Sequence, residues 1–144
     1  MSDNNNKLTV KRVINADRKT VFEALTNSTI MQKWFYAGAD GWSATVKNDP
    51  VVGGSYQIDM HGQNETYSHE GEYKEIVPNE KLVFTWNSKA VQDTLVTITL
   101  TEVKKNTEVT LTHEFLPNAE MKENHTKGWT QILTHLDNTI AAKV

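Results

Sequence analysis

Residues Lys7 to Ile14 alternate, with Leu8, Val10, Arg12 and Ile14 on one parity and Thr9, Lys11 and Val13 on the other. A strand points successive side chains to opposite faces, so this period of two predicts a half-buried strand. The period then lengthens. Asp17 can cap a helix whose apolar face is Val21, Phe22, Ala24 and Leu25, and Asn27-Ser28 can end it and cap a second short helix through Trp34. After Asp40-Gly41 strands are expected between turn signals, at Trp42 to Lys47, Ser55 to Met60, Thr66 to Val77 (interrupted at Gly71) and Lys81 to Trp86. Asn48-Asp49-Pro50, the Gly53-Gly54 hinge, His61 to Asn64 and Pro78-Asn79 supply the turn chemistry between them.

The cleanest alternation runs from Thr94 to Val103, with Val96, Ile98 and Leu100 facing one way and Thr97, Thr99 and Thr101 the other. Beyond the reversal at Lys104-Lys105-Asn106, Val109, Leu111, His113 and Phe115 are expected inward, and Thr110, Thr112 and Glu114 outward. From Asn118 to Ala142 the period becomes helical, and Met121, His125, Trp129, Ile132, Leu136 and Ile140 form one stripe. A helix of about 24 residues spans about 36 Å, enough to cross a curved sheet. The order of elements therefore predicts an α+β fold: a curved antiparallel sheet of six to seven strands around a long C-terminal helix, with two short helices after the first strand. Residues 7–144 are read as one domain, and the polar run Met1 to Asn6 as a flexible tail.

Composition narrows the functional classes. At 144 residues one sizeable core is affordable, burying roughly two-thirds of the surface the unfolded chain exposes. A net charge of -3 provides no positive field for nucleic acid. There is no cysteine, hence no disulfide, thiolate metal site or cysteine nucleophile. No basic start with an apolar run marks a secretory signal, and no segment approaches the ~20 apolar residues of a membrane span, so a cytoplasmic protein without membrane insertion is expected.

Several segments, in this order and spacing, resemble one known group. They are Arg12-Val13-Ile14-Asn15-Ala16, Val21 to Thr26 leading to Trp34, Val52-Gly53-Gly54-Ser55-Tyr56 and Gly71 to Ile76. Further on come Glu80 to Trp86, Thr107 to His113, and Gly128-Trp129 with Leu133 and Leu136 behind it. Together they are similar to the Hsp90-ATPase-activator-homologue-1-like (AHSA1-like) branch of the START-like, or SRPBCC, helix-grip superfamily. The resemblance implies a helix-grip fold (START-like, Bet v 1-like) with a cavity between sheet and long helix that relatives use for apolar ligands. Two departures limit what carries over. Val51-Val52 stands where such proteins often have Arg-Pro before the double glycine, and 144 residues leave no room for the activator's separate Hsp90-binding domain.

His113 is the most chemically interesting side chain, because an imidazole on an inward parity could hydrogen-bond a ligand carbonyl or act as acid or base. The plainer reading is a histidine satisfied within the core. Trp34, Tyr56, Tyr73, Trp86 and Trp129 are the aromatics expected on the dry side, as ligand wall or as core filling, and His125, Ile132 and Leu136 join them from the helix stripe. Gly53, Gly54 and Gly71 are read as backbone geometry. The five histidines show no metal-ligand spacing, Asp59, Glu70 and Glu72 read as solvated strand residues, and no nucleophile elbow, phosphate loop or dinucleotide fingerprint is present. No metal, cofactor or catalytic residue is therefore assigned. Three functions compete: a module binding a small hydrophobic, lipid-like or polycyclic molecule, a cyclase-like or hydrolytic enzyme using the same cavity, and a partner of an Hsp90-type chaperone acting through its outer surface.

Overall fold

The computed structural model describes residues 6–38 and 41–142, so the tail expected at 1–6, apart from Asn6, and Asp40 lie outside the described residues. Ten elements follow in order: β1 (Leu8–Ile14), α1 (Arg18–Thr26), α2 (Ser28–Met31), β2 (Ser43–Asn48), β3 (Ser55–His61), β4 (Thr66–Val77), β5 (Lys81–Trp86), β6 (Thr94–Val103), β7 (Asn106–Glu114) and α3 (Ala119–Ala141). The strands form one seven-stranded sheet in the order β1-β7-β6-β5-β4-β3-β2, antiparallel throughout. β1 and β2 are the two edges, so α1 and α2 carry the chain from one edge to the other. This is the helix-grip α+β architecture.

Local chemistry explains most boundaries. Asp17 caps α1 by accepting from the Thr20 N–H at 2.8 Å, and Asn27 caps α2 through the Ile30 N–H at 3.1 Å. The reversal after β6 places Lys104 and Lys105 at φ 51° and 72°, the paired left-handed geometry of a tight hairpin turn. Two expectations need correction. The second short helix ends at Met31 rather than running to Trp34, because the chain turns there to drive Trp34 and Phe35 into the core. Phe115 is not on the inner face: β7 stops at Glu114, Phe115 adopts φ 68° with 64% exposure, and Leu116 takes the buried place. One left-handed residue inverts the parity that the sequence pattern extends through it.

The dry face of the sheet is filled by Ile58, Phe84, Val96, Ile98, Val109 and Leu111, against which α3 lays Trp129, Ile132, Leu133, Leu136 and Ile140. Each such side chain contributes about 1.5–3 kcal/mol on leaving water. α3 begins at the cap Asn118, which accepts from the Met121 N–H at 2.9 Å, and runs closest to β1, where Arg12 Nε donates to Asp137 Oδ2 at 2.8 Å. Among the described residues no helix is long and apolar enough to cross a membrane.

The long strand β4 changes partner along its length. Thr66 to Glu72 pair with β3, whereas Tyr73 to Val77 pair with β5 after a register shift between Tyr73 and Glu75. The hinge of this bend is Gly71, where an added Cβ would sit 2.0 Å from the Thr85 carbonyl oxygen, so only glycine lets β4 and β5 come this close. Ahead of the hinge, β4 and β5 splay apart except for the bridge between Glu70 and Asn87. That opening positions the site.

Candidate functional site

A cleft of about 850 Å³ opens between the splayed part of the sheet and the N-terminal half of α3. Met60 of β3, Tyr67 and His69 of β4, Trp86 at the end of β5, and His125, Gly128, Trp129 and Ile132 of α3 form its body. Ala37, Trp42, Glu65 and the loop Ser88 to Ala90 lie around it. Trp42 is seated between Gly38 and Gly62, whose missing Cβ atoms would strike its indole, and it stacks parallel to Tyr67 with centroids 5.6 Å apart. Deeper in, the Trp86 ring lies 4.8 Å from that of Trp129 and 4.7 Å from that of His69. Aromatic faces thus supply most of the interior.

Behind these rings is a polar chain with every donor matched. Trp129 Nε1–H can only donate, so its 3.0 Å contact makes His113 Nδ1 the acceptor and places the ring proton on Nε2. His113 Nε2–H then donates to Thr94 Oγ1 at 2.8 Å, and the Thr94 hydroxyl donates to the Trp86 carbonyl at 2.6 Å. His113 and Thr94 are wholly buried. Burial holds the His113 pKa down to about 3, and the neighbouring His125 ring, 5.1 Å away, opposes a second charge. This imidazole is neutral with both nitrogens occupied.

The groups on the cleft side are arranged differently. Trp86 is 2% exposed, yet its Nε1–H has no partner among the described residues, and the same holds for His69 Nδ1. Burial lowers the His69 pKa to about 4, so this ring too is neutral at pH 7. His125 Nδ1–H donates to the Met121 carbonyl at 2.8 Å, leaving Nε2 as a lone-pair acceptor, and burial lowers its pKa as well. A second, shallower hollow of about 650 Å³ follows the Gly71 crease and is lined by Lys47, Asp49, Gln57, Glu70 and Glu72, charges of both signs that are exposed to solvent.

The family model described as activator of Hsp90 ATPase homolog 1-like protein matches residues 15–141. The chain belongs to this family. Solved structures agree on the fold. A protein from Chromobacterium violaceum superposes with a TM-score of 0.84 at 26% identity, covering 94% of this chain and 96% of that one. AHSA1 from Silicibacter pomeroyi gives a TM-score of 0.84 at 20% identity, over 96% and 99% of the two chains. An AHSA1-like protein from Aeromonas hydrophila gives 0.83 at 19% identity, over 95% and 93%. No functionally curated protein matches the sequence.

Within this AHSA1-like fold, four of the nine residues singled out from sequence line the cleft: Trp86, His125, Trp129 and Ile132. The other five lie elsewhere. Trp34 donates to the Ala24 carbonyl at 3.0 Å; Tyr56 donates to the Thr85 carbonyl across the Gly71 hinge; Tyr73 donates to Asn48 Oδ1 at 2.6 Å. Their polar ends are committed to holding the sheet, and burial pushes the Tyr73 pKa up to about 12. Leu136 is core, and His113 stands behind the aromatic wall. Asp59, Glu70 and Glu72 face away from the cleft on the parity opposite Ile58, His69 and Tyr73, and His61 bridges Thr45 and Thr66 on that outer side. Sequence reasoning missed His69, Met60, Trp42 and Tyr67. For His69 a signal existed: it shares the parity of Gly71 and Tyr73.

Proposed function

We propose that this protein binds a small, uncharged, ring-containing hydrophobic molecule in the cleft between sheet and C-terminal helix. The observation that carries the reading is the cleft itself. About 850 Å³ bounded by Met60, Trp86, Trp129 and Ile132 falls within the range of small-molecule sites, and it combines broad apolar walls with few polar groups. Membership of the AHSA1-like family supports a cavity of this kind, and with it a second reading, association with a chaperone. Such docking calls for a continuous apolar surface, whereas the large exposed apolar side chains among the described residues are distributed over β1 (Val13), the β2–β3 loop (Val51, Val52), β4 (Tyr67), the end of β6 (Val103) and the residue after β7 (Phe115). The ligand reading is therefore preferred.

A hydrolytic or cyclising reaction would need an imidazole or carboxylate able to exchange a proton with substrate. His113 has no nitrogen to spare, and burial weakens the basicity of His69 and His125, neither of which is hydrogen-bonded to a carboxylate among the described residues that would orient it as a base. The test is a screen of lipid-like and polycyclic aromatic compounds by backbone and indole shift perturbation. Perturbations should gather at Trp86, His125, Trp129 and Ile132. Perturbations confined to the outward Thr97, Thr99 and Thr101, or none with any compound, would defeat the reading.

A further inference from the structure

We propose that the ligand of this cleft presents a neutral acceptor oxygen, such as a ring ketone, to the indole N–H of Trp86, an inference that rests on the binding reading above. Three tryptophan indoles define the contrast. Trp34 donates to the Ala24 carbonyl and Trp129 to His113 Nδ1, as buried indole N–H groups normally do. Trp86 is as deeply buried as either and lines the cleft, yet its Nε1–H meets no acceptor on the described chain; the nitrogen itself has almost no open surface, so a ligand oxygen reaches it only as the wall shifts. An indole N–H cannot accept or ionise, so only a lone pair can satisfy it. The His69 ring lies 4.7 Å from that of Trp86 in the same wall.

The charges around the cleft set the ligand's charge. Of its polar lining, Trp86, His69 and His125 are not cationic at neutral pH, the hydroxyl and amide residues carry no charge, and the charged residues, Glu65 and Lys89, are exposed and opposite in sign. A carboxylate drawn in to reach Trp86 would lose its hydration without meeting a fixed positive charge. A carbonyl oxygen loses far less and gains the indole donor. The aromatic faces of Trp86 and Trp129, 4.8 Å apart at their centroids, favour a flat ring system as the body that carries it. The ligand class is thus an aromatic ketone or a relative with the same edge chemistry, distinct from a fatty acid.

Fluorene and 9-fluorenone test this, because they share one skeleton and differ by a CH2 against a carbonyl. Fluorenone leaves water less readily, so without a partner in the cleft it binds more weakly. With the Trp86 donor it should bind about tenfold more tightly. The Trp86 indole Nε1–H resonance should move downfield with fluorenone and not with fluorene, while those of Trp34 and Trp129 keep their positions. Trp86→Phe should bring fluorenone down to the affinity of fluorene, and fluorene-9-carboxylate should bind more weakly than fluorenone to the parent protein. Should the variant fail to fold, the indole shift in the parent still decides. Equal affinities with an unmoved Trp86 indole would overturn the acceptor assignment and leave the cleft reading standing; no binding of either compound would overturn both.

Discussion

Two polar clusters lie side by side on the inner face of this sheet, and they differ above all in how their hydrogen bonds are matched. The first, Trp129, His113 and Thr94, ends on the backbone of Trp86 with every donor and acceptor matched. The second pairs Trp86, as buried as Trp129, with the half-buried His69, and its Trp86 Nε1–H has no acceptor among the described residues. The Trp86 and His113 rings are only 6.3 Å apart. Burial, aromaticity and depressed histidine pKa values are common to both and so cannot tell a scaffold from a site. Counting hydrogen bonds does: the closed cluster stabilises the fold, and the other keeps an indole donor unsatisfied, the feature on which the proposed ligand contact rests.

The most direct way to break this comparison is to open the closed cluster. His113→Phe removes the acceptor that the Trp129 N–H has among the described residues and the donor to Thr94, leaving a buried indole donor unsatisfied. We expect a loss of about 2–4 kcal/mol in chemical denaturation, beyond the cost of fitting the new ring. A variant as stable as the parent would mean that the chain through His113 does not hold the core. Trp86→Phe on the open side deletes a donor that had no partner, so beyond the cavity left by the smaller ring it should cost less than half as much.

Acid should weaken the protein through the same rings. His113 and His69 have folded pKa values of about 3 and 4, below the ordinary value near 6.5 that they regain on unfolding. Below pH 6.5 the unfolded chain binds protons that the folded chain refuses, so their contribution to stability is complete above pH 6.5 and is lost as pH falls towards 4 and then 3. Each contributes a slope of up to about 1.4 kcal/mol per pH unit in that window. Denaturation midpoints from pH 7 to 4 measure it, and His113→Phe should show a shallower fall than the parent. Parallel profiles would mean that His113 titrates normally in the folded protein.

Much of the fold was legible in the chain because one period of two or 3.6 suffices to place a side chain on a face. Val96, Ile98 and Leu100 are inward, and the stripe from Trp129 to Ile140 is buried, as the spacing predicts. Phe115 shows the limit: a single left-handed residue ends the register, and nothing in Glu114-Phe115-Leu116 announces it. The site was less legible because parity assigns a face and never a partner. His113 was inward as expected, but Thr94 and Trp129, 19 and 16 residues away, decide what it can do. The cleft itself follows from the partner exchange of β4 at Gly71, a property of three strands together. Tyr56 and Tyr73 sit at that exchange, which is why aromatics expected at a ligand are instead hydrogen-bonded into the sheet.

The finest distinction between the two sides concerns Gly128. Along α3 the positions facing the closed core carry Leu133, Leu136 and Ile140, whereas Gly128, among the positions that line the cleft, carries no side chain. A glycine in a helix interior is about 1 kcal/mol less favourable than alanine, so some constraint normally accounts for it. Steric need does not: an added Cβ would meet only the Ala37 Cβ, at an ordinary 3.6 Å. What the missing methyl leaves is space between helix and sheet on the open side. Gly128→Ala should therefore raise stability by about 0.5–1 kcal/mol while lowering fluorenone affinity by a few fold, opposite signs that a purely structural glycine would not give. Thermal and chemical denaturation alongside a binding isotherm measure both. If the variant is less stable than the parent, close packing at Gly128 explains the residue, and the helix does not keep the cleft open by this means.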